Sequence, residues 1–290
     1  MEPIKRLLPQ LSSSMRKGNC GRLGVAGGSG EYTGAPYFAA ISMLKLATDL
    51  AHVFTPPEAA PVIKGYSPEL IVHPSLQSSF EWLPRMDALL VGPGLGRSNE
   101  SLHFVPSLLN SAAKENKRTV VDADGLFAVT ESWPNITFPP ITILTPNAVE
   151  LDRLANKVLG QSTLGHPLDQ IIPVAEALSN KLSVSLLVKG PSDIFVEPGQ
   201  SASLFSHPGS LRRPGGIGDV LSGVLTVFLF WSKGTSPSPM RSASEAASLF
   251  TRECARRAFS VEGRSMMATD VITHIPSLLR EIDAHRSGQL

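Results

Sequence analysis

The sequence has few cysteines, few aromatic residues and almost no net charge. Only two of its 290 residues are Cys, 6% are Phe, Trp or Tyr, and 26 Lys and Arg balance 25 Asp and Glu. Cys20 and Cys254 lie too far apart in the chain to suggest a disulfide framework or a zinc motif, which favours a reducing compartment. A net charge of +1 provides no broad basic surface, so we expect no nucleic-acid partner.

Long apolar runs and targeting signals are also missing. The longest apolar stretch, at 221–231, has 11 residues and includes Ser222 and Gly223, whereas about 18–20 apolar residues are needed to span a bilayer. We therefore predict that it is a buried helix, and we expect no membrane partner. The N-terminus has no extended apolar segment of the kind found in secretory signals. These features favour a cytoplasmic protein, with an organellar pool left open.

Motifs of three other enzyme classes are absent as well. The chain contains neither GxxxxGK[ST] nor GxSxG. The first absence excludes a P-loop kinase, and the second argues against a serine nucleophile elbow. The seven histidines never occur three or four residues apart, so a zinc site on one helix is unsupported.

The chain does contain a regular alternation of short apolar runs with longer amphipathic stretches. Nearly continuous runs of Val, Leu and Ile are typical of strands that helices cover on both faces. The predicted strands are 22–26, 51–54, 70–72, 88–91, 119–122, 141–144, 185–188 and 194–196. The predicted helices are 35–50, 101–117, 148–155, 171–179, 218–231 and 243–259. This alternation predicts an α/β fold with a doubly wound, mostly parallel sheet flanked by helices on both faces.

We expect a single domain over residues 1–290, with residues 1–15 and 280–290 at its periphery. The Ser- and Pro-rich segment KGTSPSPMRSAS at 233–244 is predicted to be a loop between two helices. It lies too near the C-terminus to be a linker between domains.

In doubly wound folds, ligands bind outside the carboxyl ends of the strands, so the residues that follow each strand are the functional candidates. A glycine-rich turn, GGSGEYTG at 27–34, follows the first strand and could bring backbone N–H groups to a phosphate. No acidic residue ends the second strand, where a nicotinamide dinucleotide usually meets one. Glu58 lies four residues further on. A Rossmann dehydrogenase is therefore disfavoured.

The fourth and fifth strands end in glycines and in acids. Gly92, Gly94 and Gly96 either leave the backbone open to a flat ligand or form a tight turn. Asp122 and Asp124 could hold a metal or a ligand hydroxyl, or Asp124 could equally cap the next helix or form a turn. The sequence leaves these alternatives open.

The sixth and seventh strands are followed by a possible metal pair and by a cation. Asn147 and Glu150 have the spacing of a helix capping box. The same pair could face the cleft and organise a hydrated Mg²⁺ near phosphates, and the two roles are compatible. Lys189, followed by Gly190, suits a phosphate, although a solvated surface lysine is the alternative.

The segment RRPGGIGDVLSG at 212–223 gives the strongest signal. Gly215, Gly216 and Gly218 expose successive backbone N–H groups at the start of an apolar helix, where the helix dipole also attracts anions. Asp219 lies in the first helical turn. It could be a partner of the helix dipole, or it could take a proton from a substrate hydroxyl that attacks phosphorus.

The motif GxGD at 216–219 and the motif NxxE at 147–150 resemble the paired motifs of the ribokinase-like superfamily. Within it, the chain is similar to the ATP-dependent NAD(P)H-hydrate dehydratases, in their stand-alone eukaryotic form. The matching stretches run in order over about residues 15–280. They are YTGAPYFAA (32–40), IKGYSPELIVHP (63–74), VGPGLGR (91–97), DADGL (122–126), TPNAVEL (145–151), VKG (188–190) and GDVLSG (218–223).

This resemblance implies a ribokinase-like three-layer sandwich and a repair reaction. In NADHX and NADPHX, water has added across a ring double bond and left a hydroxyl at C6 of the nicotinamide. ATP would phosphorylate the hydroxyl of the S form, phosphate would leave, and NADH or NADPH would be restored. The resemblance also implies Mg²⁺ as cofactor. Because only the S form would be converted, an NAD(P)HX epimerase is expected as functional partner for the other epimer. The oligomeric state stays open, a homo-oligomer included.

The resemblance further assigns roles to individual residues. Asp219 would be the catalytic base, beside the backbone of Gly216 and Gly218. The residues expected to contact ATP are Lys189, Gly190, Pro191, Ser192, Asp193, Gly209, Ser210, Leu211, Arg212, Arg213, Pro214, Gly215, Gly216, Ile217 and Gly218. Those expected to contact the hydrated dinucleotide are Gly94, Gly96, Asn147, Ala148, Val149, Glu150, Leu151, Asp152, Arg153 and Asp219. Asn147 and Glu150 would place Mg²⁺ through water. Ile217 departs from the small or polar residues common at its position, so its side chain must point away from the phosphate.

Three alternative functions differ in what they require. A small-molecule kinase of the same superfamily, acting on a vitamin or a sugar alcohol, would also use ATP and Asp219 but would release a phosphorylated product. A nucleotide-binding sensor without turnover would not need Asp219. A true dehydrogenase would not need ATP. The choice of ATP over ADP as donor follows only from the resemblance.

Overall fold

The computed structural model describes residues 1–234 and 237–287, with side chains described up to Ala284. The strands in these parts of the chain are β1 (Arg22–Ala26), β2 (Leu50–Phe54), β3 (Ile71–His73), β4 (Ala88–Val91), β5 (Arg118–Val121), β6 (Thr142–Leu144), β7 (Ser185–Val188), β8 (Asp193–Val196) and β9 (Ser203–Phe205). They form one sheet in the order β3-β2-β1-β4-β5-β6-β7-β8-β9. Strands β1 to β7 are parallel, and β8 and β9 pair antiparallel at one edge.

Helices cover both faces of this sheet. They are α1 (Glu2–Lys5), α2 (Gly34–Lys45), α3 (Ala60–Tyr66), α4 (Ser78–Trp82), α5 (Asn99–Lys114), α6 (Asp124–Ser132), α7 (Ala148–Leu159), α8 (Leu168–Leu182), α9 (Ile217–Trp231), α10 (Pro239–Glu262), α11 (Ala268–Thr273) and α12 (Ile275–Ser287). Along β4, Ala88 and Leu90 belong to a core shared with α2, α9 and α10, whereas Leu89 and Val91 belong to a core shared with α5 to α8. This alternation defines three layers, and it confirms the predicted fold class.

The eight predicted strands are all present, each within one residue at either end. The ninth strand, β9, was not predicted because it has only three residues and its Leu204 is exposed. Helix α9 is buried along almost its whole length, as expected for a helix that is apolar on every side. Within the described residues, no helix is long and apolar enough to cross a membrane.

The helix boundaries differ more from the predictions. The helix predicted over 35–50 ends at Lys45, because Ala47 takes a positive φ of 74° and Leu50 already belongs to β2. The loop predicted over 233–244 is shorter, since α10 begins at Pro239, and proline is readily accepted in the first helical turn. Thr235 and Ser236 of that loop lie outside the described residues. The sequence patterns also missed α1, α3, α4, α6, α11 and α12.

The N-terminal segment differs from its expected peripheral position. Ile4, Leu7 and Leu8 are buried, and α1 packs against α10 and α12. At the other end of the chain, Ile282 in α12 is also buried in the same core. Both terminal segments therefore help to cover the helices that lie over the sheet.

The parallel topology brings the carboxyl ends of β1 to β7 to one edge of the sheet, where the loops are packed closely. A Cβ on Gly92 would overlap the carbonyl oxygen of Asp122, and the φ of Gly92 is +130°. Only glycine fits this position. Gly92 therefore supports the interpretation of the GPGLG segment as a tight turn. This turn follows β4 and packs against the residues that follow β5.

Candidate active site

A cavity of about 580 Å³ opens beside the ends of β7 and β8. It lies between the turn that joins these strands, the loop that follows β9, and helices α9 and α10. Eleven of the residues expected to contact ATP line it: Lys189, Gly190, Pro191, Asp193, Gly209, Ser210, Leu211, Arg213, Pro214, Ile217 and Gly218. Four others do not line it, namely Ser192, Arg212, Gly215 and Gly216.

Several residues of this cavity could not be found from the strand ends. They are His207, Pro208, Leu221, Ser248, Thr251, Arg252 and Ala255. The last four lie on α10 at intervals of three, one and three residues, which places them on one face of the helix. The spacing in the sequence indicates that these four residues share one face of α10. It does not indicate which part of the fold that face packs against. Ile217 and Leu221 form an apolar part of the wall.

The start of α9 has the geometry of an anion cradle. Its N-cap is Gly216, with a φ of +94°, and a Cβ there would lie 2.8 Å from Ala268 and 2.9 Å from Phe38. No side chain of the described residues caps this end, so its first N–H groups are available to a ligand. Although Gly216 does not line the cavity, Ile217 and Gly218 at the start of the helix do.

Lys189 reaches the same place from the end of β7. A Cβ on Gly218 would lie 3.7 Å from the Lys189 Nζ. That Nζ donates to Asp122 Oδ1 at 2.6 Å and lies 3.8 Å from Glu150 Oε2. Burial alone would lower the pKa of Lys189, but the Asp122 and Glu150 carboxylates raise it above its usual value. Lys189 is therefore a fixed cation next to the helix start, and the interpretation as a solvated surface lysine is wrong.

Asp219 lies among these charged groups, one residue beyond Gly218. Burial raises the pKa of its carboxyl group from 3.8 to about 7. The carboxylates of Asp122, Asp124 and Glu150 act in the same direction, while Lys189 opposes them. No side-chain or backbone donor of the described residues bonds the Asp219 carboxylate. It is thus half-buried, unshared, and poised to exchange a proton near neutral pH.

The predicted capping box at the start of α7 is confirmed. Asn147 Oδ1 accepts hydrogen bonds from the N–H groups of Val149 and Glu150, both at 3.0 Å, and Glu150 Oε2 accepts one from the Asn147 N–H at 2.8 Å. Burial raises the pKa of Glu150, which the nearby Asp122 reinforces and Lys189 opposes. These bonds occupy the amide oxygen and one carboxylate oxygen.

A metal ion therefore finds few free ligands here. In the part of the chain that the structure describes, no group of three or more His, Cys, Asp and Glu side chains could hold a metal ion. One Glu150 oxygen, Oε1, has no described hydrogen-bond donor. Because Mg²⁺ usually keeps several of its waters and binds through one or two carboxylates and substrate phosphates, these residues fit an indirect contact through water and not a protein cage.

Asp124 does not cap α6, so that interpretation is wrong. The N-cap position is occupied by Ala123, with a φ of 50°, and Asp124 is the first helical residue. Its carboxylate accepts a hydrogen bond from the Gly96 N–H at 2.9 Å and lies 3.5 Å from Arg97 Nε. Asp124 thus anchors the turn after β4.

The residues expected to contact the dinucleotide are only partly brought together. A Cβ on Gly96 would make an ordinary van der Waals contact with Ser29, 3.8 Å from its Oγ, whereas a Cβ on Gly94 would lie only 2.8 Å from the Tyr32 carbonyl oxygen. Two side chains of the 147–153 segment are engaged elsewhere. Leu151 is buried in the core, and Asp152 accepts hydrogen bonds from Ser162, Thr163 and Leu164. The reason is that seven consecutive helical residues point in all directions around the helix axis, and only one side of α7 faces the edge of the sheet.

The side chains on the remaining face are accessible. Val149 is exposed, as are Asn147 and Ala148, and the Arg153 guanidinium lies 5.4 Å from the centre of the Phe127 ring. In sheet order, the cavity lies near β7 and β8, the Asp122 and Glu150 carboxylates follow β5 and β6, and Gly96 follows β4. The groups that surround Asp219 thus lie between the cavity and the Gly96 turn.

These features define a class of protein. A mostly parallel α/β sandwich with an uncapped, glycine-initiated helix and a carboxylate in its first turn has the ribokinase-like fold. Solved structures agree on the fold. An ADP/ATP-dependent NAD(P)H-hydrate dehydratase from Bacillus subtilis, co-crystallised with ATP and Mg²⁺, has a TM-score of 0.75 and 19% identity, over 97% of this chain and 96% of that one. Arabidopsis thaliana ribokinase, complexed with ribose and ATP, has a TM-score of 0.58 and 16% identity, over 88% and 98%.

Sequence comparison narrows the class. A family model for NAD(P)H-hydrate dehydratase matches residues 23–277. The ATP-dependent (S)-NAD(P)H-hydrate dehydratase of Caenorhabditis briggsae is 42% identical over 98% of this chain and 95% of its own length. The Mus musculus protein of the same name is 44% identical over 94% and 82%. The chain therefore belongs to the NAD(P)H-hydrate dehydratase family.

Proposed function

We propose that this protein is an ATP-dependent dehydratase that converts the S forms of NADHX and NADPHX to NADH and NADPH. The observation that carries the proposal is Asp219, a carboxylate with a pKa of about 7 placed between a phosphate cradle and the Gly96 turn. The names of its relatives in Caenorhabditis briggsae and Mus musculus support the substrate and the nucleotide.

The reaction is a dehydration made possible by phosphoryl transfer. Hydroxide is a poor leaving group near neutral pH, so the C6 hydroxyl must first be activated. Its oxygen attacks the γ-phosphorus of ATP and ADP leaves. The lone pair of the ring nitrogen then expels phosphate by breaking the C6–O bond, and loss of a proton from the neighbouring carbon restores the dihydronicotinamide. The products are NAD(P)H, ADP and inorganic phosphate.

Asp219 accepts the proton of the attacking hydroxyl. A pKa near 7 leaves a substantial fraction of the carboxyl ionised at neutral pH and gives the proton transfer a larger driving force than an ordinary aspartate would. The same environment that raises the pKa withholds other hydrogen-bond donors from the carboxylate. Its free oxygens are thus available to the substrate.

The start of α9 stabilises the charge on the transferred phosphoryl group. The N–H groups of Ile217 and Gly218 and the helix dipole supply partial positive charge, and the Lys189 ammonium adds a full one beside them. The carboxylates of Asp122 and Glu150 hold that ammonium in place. Backbone N–H groups and one fixed cation at the helix start can stabilise the phosphoryl group in a protein that has no broad basic surface.

The cavity beside β7 and β8 takes the nucleotide. Its walls are the 189–193 turn, the 207–214 loop and one face of α10, and Arg213 on the loop supplies a further cation. Ser192, Arg212 and Gly215 lie beside the cavity without lining it, and Gly216, with its positive φ, sets the conformation of the helix start. Mg²⁺, when bound with ATP, would neutralise phosphate charge, and Glu150 Oε1 would hold one of its waters.

The dinucleotide lies on the opposite side of Asp219. The Gly96 turn, whose N–H is bonded to Asp124, lies there, and Ala148, Val149 and Arg153 form the adjacent wall. Asn147 stands at the border, because it also lines the nucleotide cavity. The Arg153 guanidinium is a suitable contact for a phosphate of the dinucleotide. An NAD(P)HX epimerase would supply the S form from the other epimer, in the cytoplasm.

The test is to follow the absorbance band specific to the intact dihydronicotinamide after mixing protein, Mg-ATP and hydrated NADH. We expect an ATP-dependent rise with one ADP and one inorganic phosphate per NADH formed. A control without ATP should stay flat. A stable phosphorylated dinucleotide without recovery of the band would instead indicate a small-molecule kinase, and no ATP-dependent change would contradict the proposal.

A further inference from the structure

Arg252, in the cavity wall, uses all of its hydrogen-bond donors in contacts with other residues of the protein. The Arg252 guanidinium has five N–H groups, and five hydrogen bonds leave it. Nε and one Nη2 proton donate to Asp193 at 3.1 and 2.7 Å. The other Nη2 proton donates to Gly190 O at 2.8 Å, and the two Nη1 protons donate to Pro191 O at 3.0 Å and His207 O at 3.4 Å. No donor is left for a ligand phosphate, although Arg252 lines the cavity.

The acceptor side is equally complete. An ionised carboxylate accepts about four hydrogen bonds, and Asp193 accepts four. Oδ1 receives Gly190 N–H at 3.0 Å and the Arg252 Nη2, while Oδ2 receives the Ser248 hydroxyl at 2.6 Å and the Arg252 Nε. The Asp193 side chain is 5% exposed. It therefore has no free lone pair for a metal ion or for a nucleotide hydroxyl.

The saturated pair joins three separate parts of the cavity wall. Gly190 and Pro191 belong to the turn between β7 and β8, His207 belongs to the loop after β9, and Arg252 and Ser248 belong to α10. The loop also packs on the aliphatic part of Arg252, since a Cβ on Gly209 would lie 3.6 Å from the Arg252 Cγ. Arg252 thus ties the 190–193 turn and the 207–209 loop to α10, beside the Ser192–Ser206 hydroxyl contact of 2.8 Å that also links the turn to the start of the loop.

We propose that Arg252, with Asp193 and Ser248, is a positioning residue of the nucleotide site. It acts by holding the 190–193 turn and the 207–209 loop at the separation that the nucleotide requires, without touching the phosphates. The inference rests on the proposed function for the identity of the nucleotide. It also replaces the expected role of Asp193, which positions the wall instead of contacting ATP through its carboxylate.

The experiment measures Mg-ATP binding directly by calorimetry and, separately, the KM values for ATP and for hydrated NADH. Arg252→Lys keeps the charge but cannot bridge the two loops with a planar fork. We expect the Kd and KM for Mg-ATP to rise about 10- to 100-fold, the range that small misplacements of positioned groups produce, with an unchanged KM for hydrated NADH. In Arg252→Ala, added guanidinium should restore part of the lost ATP affinity.

Two further variants make the result specific. Arg256→Ala is the matched control, because Arg256 lies one turn along the same helix, is half-exposed and pairs with Glu253 outside the cavity. It should leave both KM values unchanged. Ser248→Ala removes one of the four hydrogen bonds to Asp193 and should raise the KM for ATP in the same direction by less, which tests the proposal even if the arginine variants fold poorly.

The outcomes separate this inference from the function on which it rests. An equal rise in both KM values, or an unchanged Kd for Mg-ATP in Arg252→Lys and Ser248→Ala, would show that the pair serves only stability and would overturn the inference. Intact binding of Mg-ATP without any turnover of hydrated NADH would overturn the proposed function while the calorimetry still tests the positioning role. Absence of Mg-ATP binding by the unaltered protein would overturn both.

Discussion

Replacing Asp219 by asparagine should remove most of the catalytic activity and at the same time make the protein more stable. General base catalysis contributes about 10²- to 10⁴-fold in rate, so Asp219→Asn should lower kcat by that factor. The side chain keeps its size, and the amide carries no charge into the half-buried site. The KM for ATP should change little, because Asp219 does not line the nucleotide cavity.

The stability gain follows from the raised pKa. Below pH 3.8 the carboxyl group is protonated in both states and costs nothing. Between pH 3.8 and about 7 the unfolded chain ionises while the folded protein stays protonated, so the penalty grows with pH. Above pH 7 it is complete. The difference of about three pKa units corresponds to about 4 kcal/mol, as an order of magnitude.

Urea unfolding of both proteins at pH 4.5 and pH 8, together with the absorbance assay, checks this reasoning. The variant should unfold at a higher urea concentration at pH 8, with a much smaller difference at pH 4.5, where the penalty is only about 1 kcal/mol. Two results would refute the argument. If Asp219→Asn kept most of its kcat, the base would be elsewhere, and if it were less stable at pH 8, the carboxylate would be held by favourable contacts.

Three other changes test separate parts of the site and the fold. Lys189→Met should abolish turnover and lower the free energy of unfolding by about 3–5 kcal/mol, because it leaves the buried Asp122 carboxylate unpaired. Activity assays and urea unfolding measure the two effects, and a stable, active variant would contradict the fixed-cation role. Gly223→Ala should lower the Tm with little change in either KM, since the added Cβ would overlap the Ala39 carbonyl where α9 meets α2. Alanine instead stabilises an isolated helix by about 1 kcal/mol relative to glycine, so a higher Tm would contradict the close contact. Chelation by EDTA should stop turnover without shifting the Tm of the nucleotide-free protein, because no protein cage of described residues holds the ion, and a large fall in Tm would contradict the water-mediated role.

The strands and most of the charged groups around Asp219 were predictable because both follow from one repeated pattern. Several of the buried strands are nearly continuous runs of Val, Leu and Ile, and a parallel sheet carries the residues after its strands to one edge. Asp122, Glu150 and Lys189 meet for that reason, whereas Asp219 follows a long loop after β9 and was predicted from the glycine-rich start of α9. The capping box at Asn147 was predictable from local spacing alone.

The features that could not be predicted depend on contacts between distant segments. Arg252 and Thr251 follow no strand, and only the packing of α10 brings them to the cavity. Asp is a residue type that commonly caps helices, but the carboxylate of Asp124 accepts a hydrogen bond from the distant Gly96 N–H and does not cap α6. The 147–153 segment was assigned as a whole to the dinucleotide, whereas its helical twist turns Leu151 into the core.

The central claim is that the C6 hydroxyl leaves as phosphate. The most direct test labels that hydroxyl with ¹⁸O, incubates the hydrated NADH with the protein and Mg-ATP, and analyses the inorganic phosphate by mass spectrometry. Because the hydroxyl oxygen attacks the γ-phosphorus and the C6–O bond then breaks, the account predicts one ¹⁸O in the phosphate for each NADH formed. Label released as water, with unlabelled phosphate, would mean that ATP hydrolysis and dehydration are separate events and would contradict the mechanism.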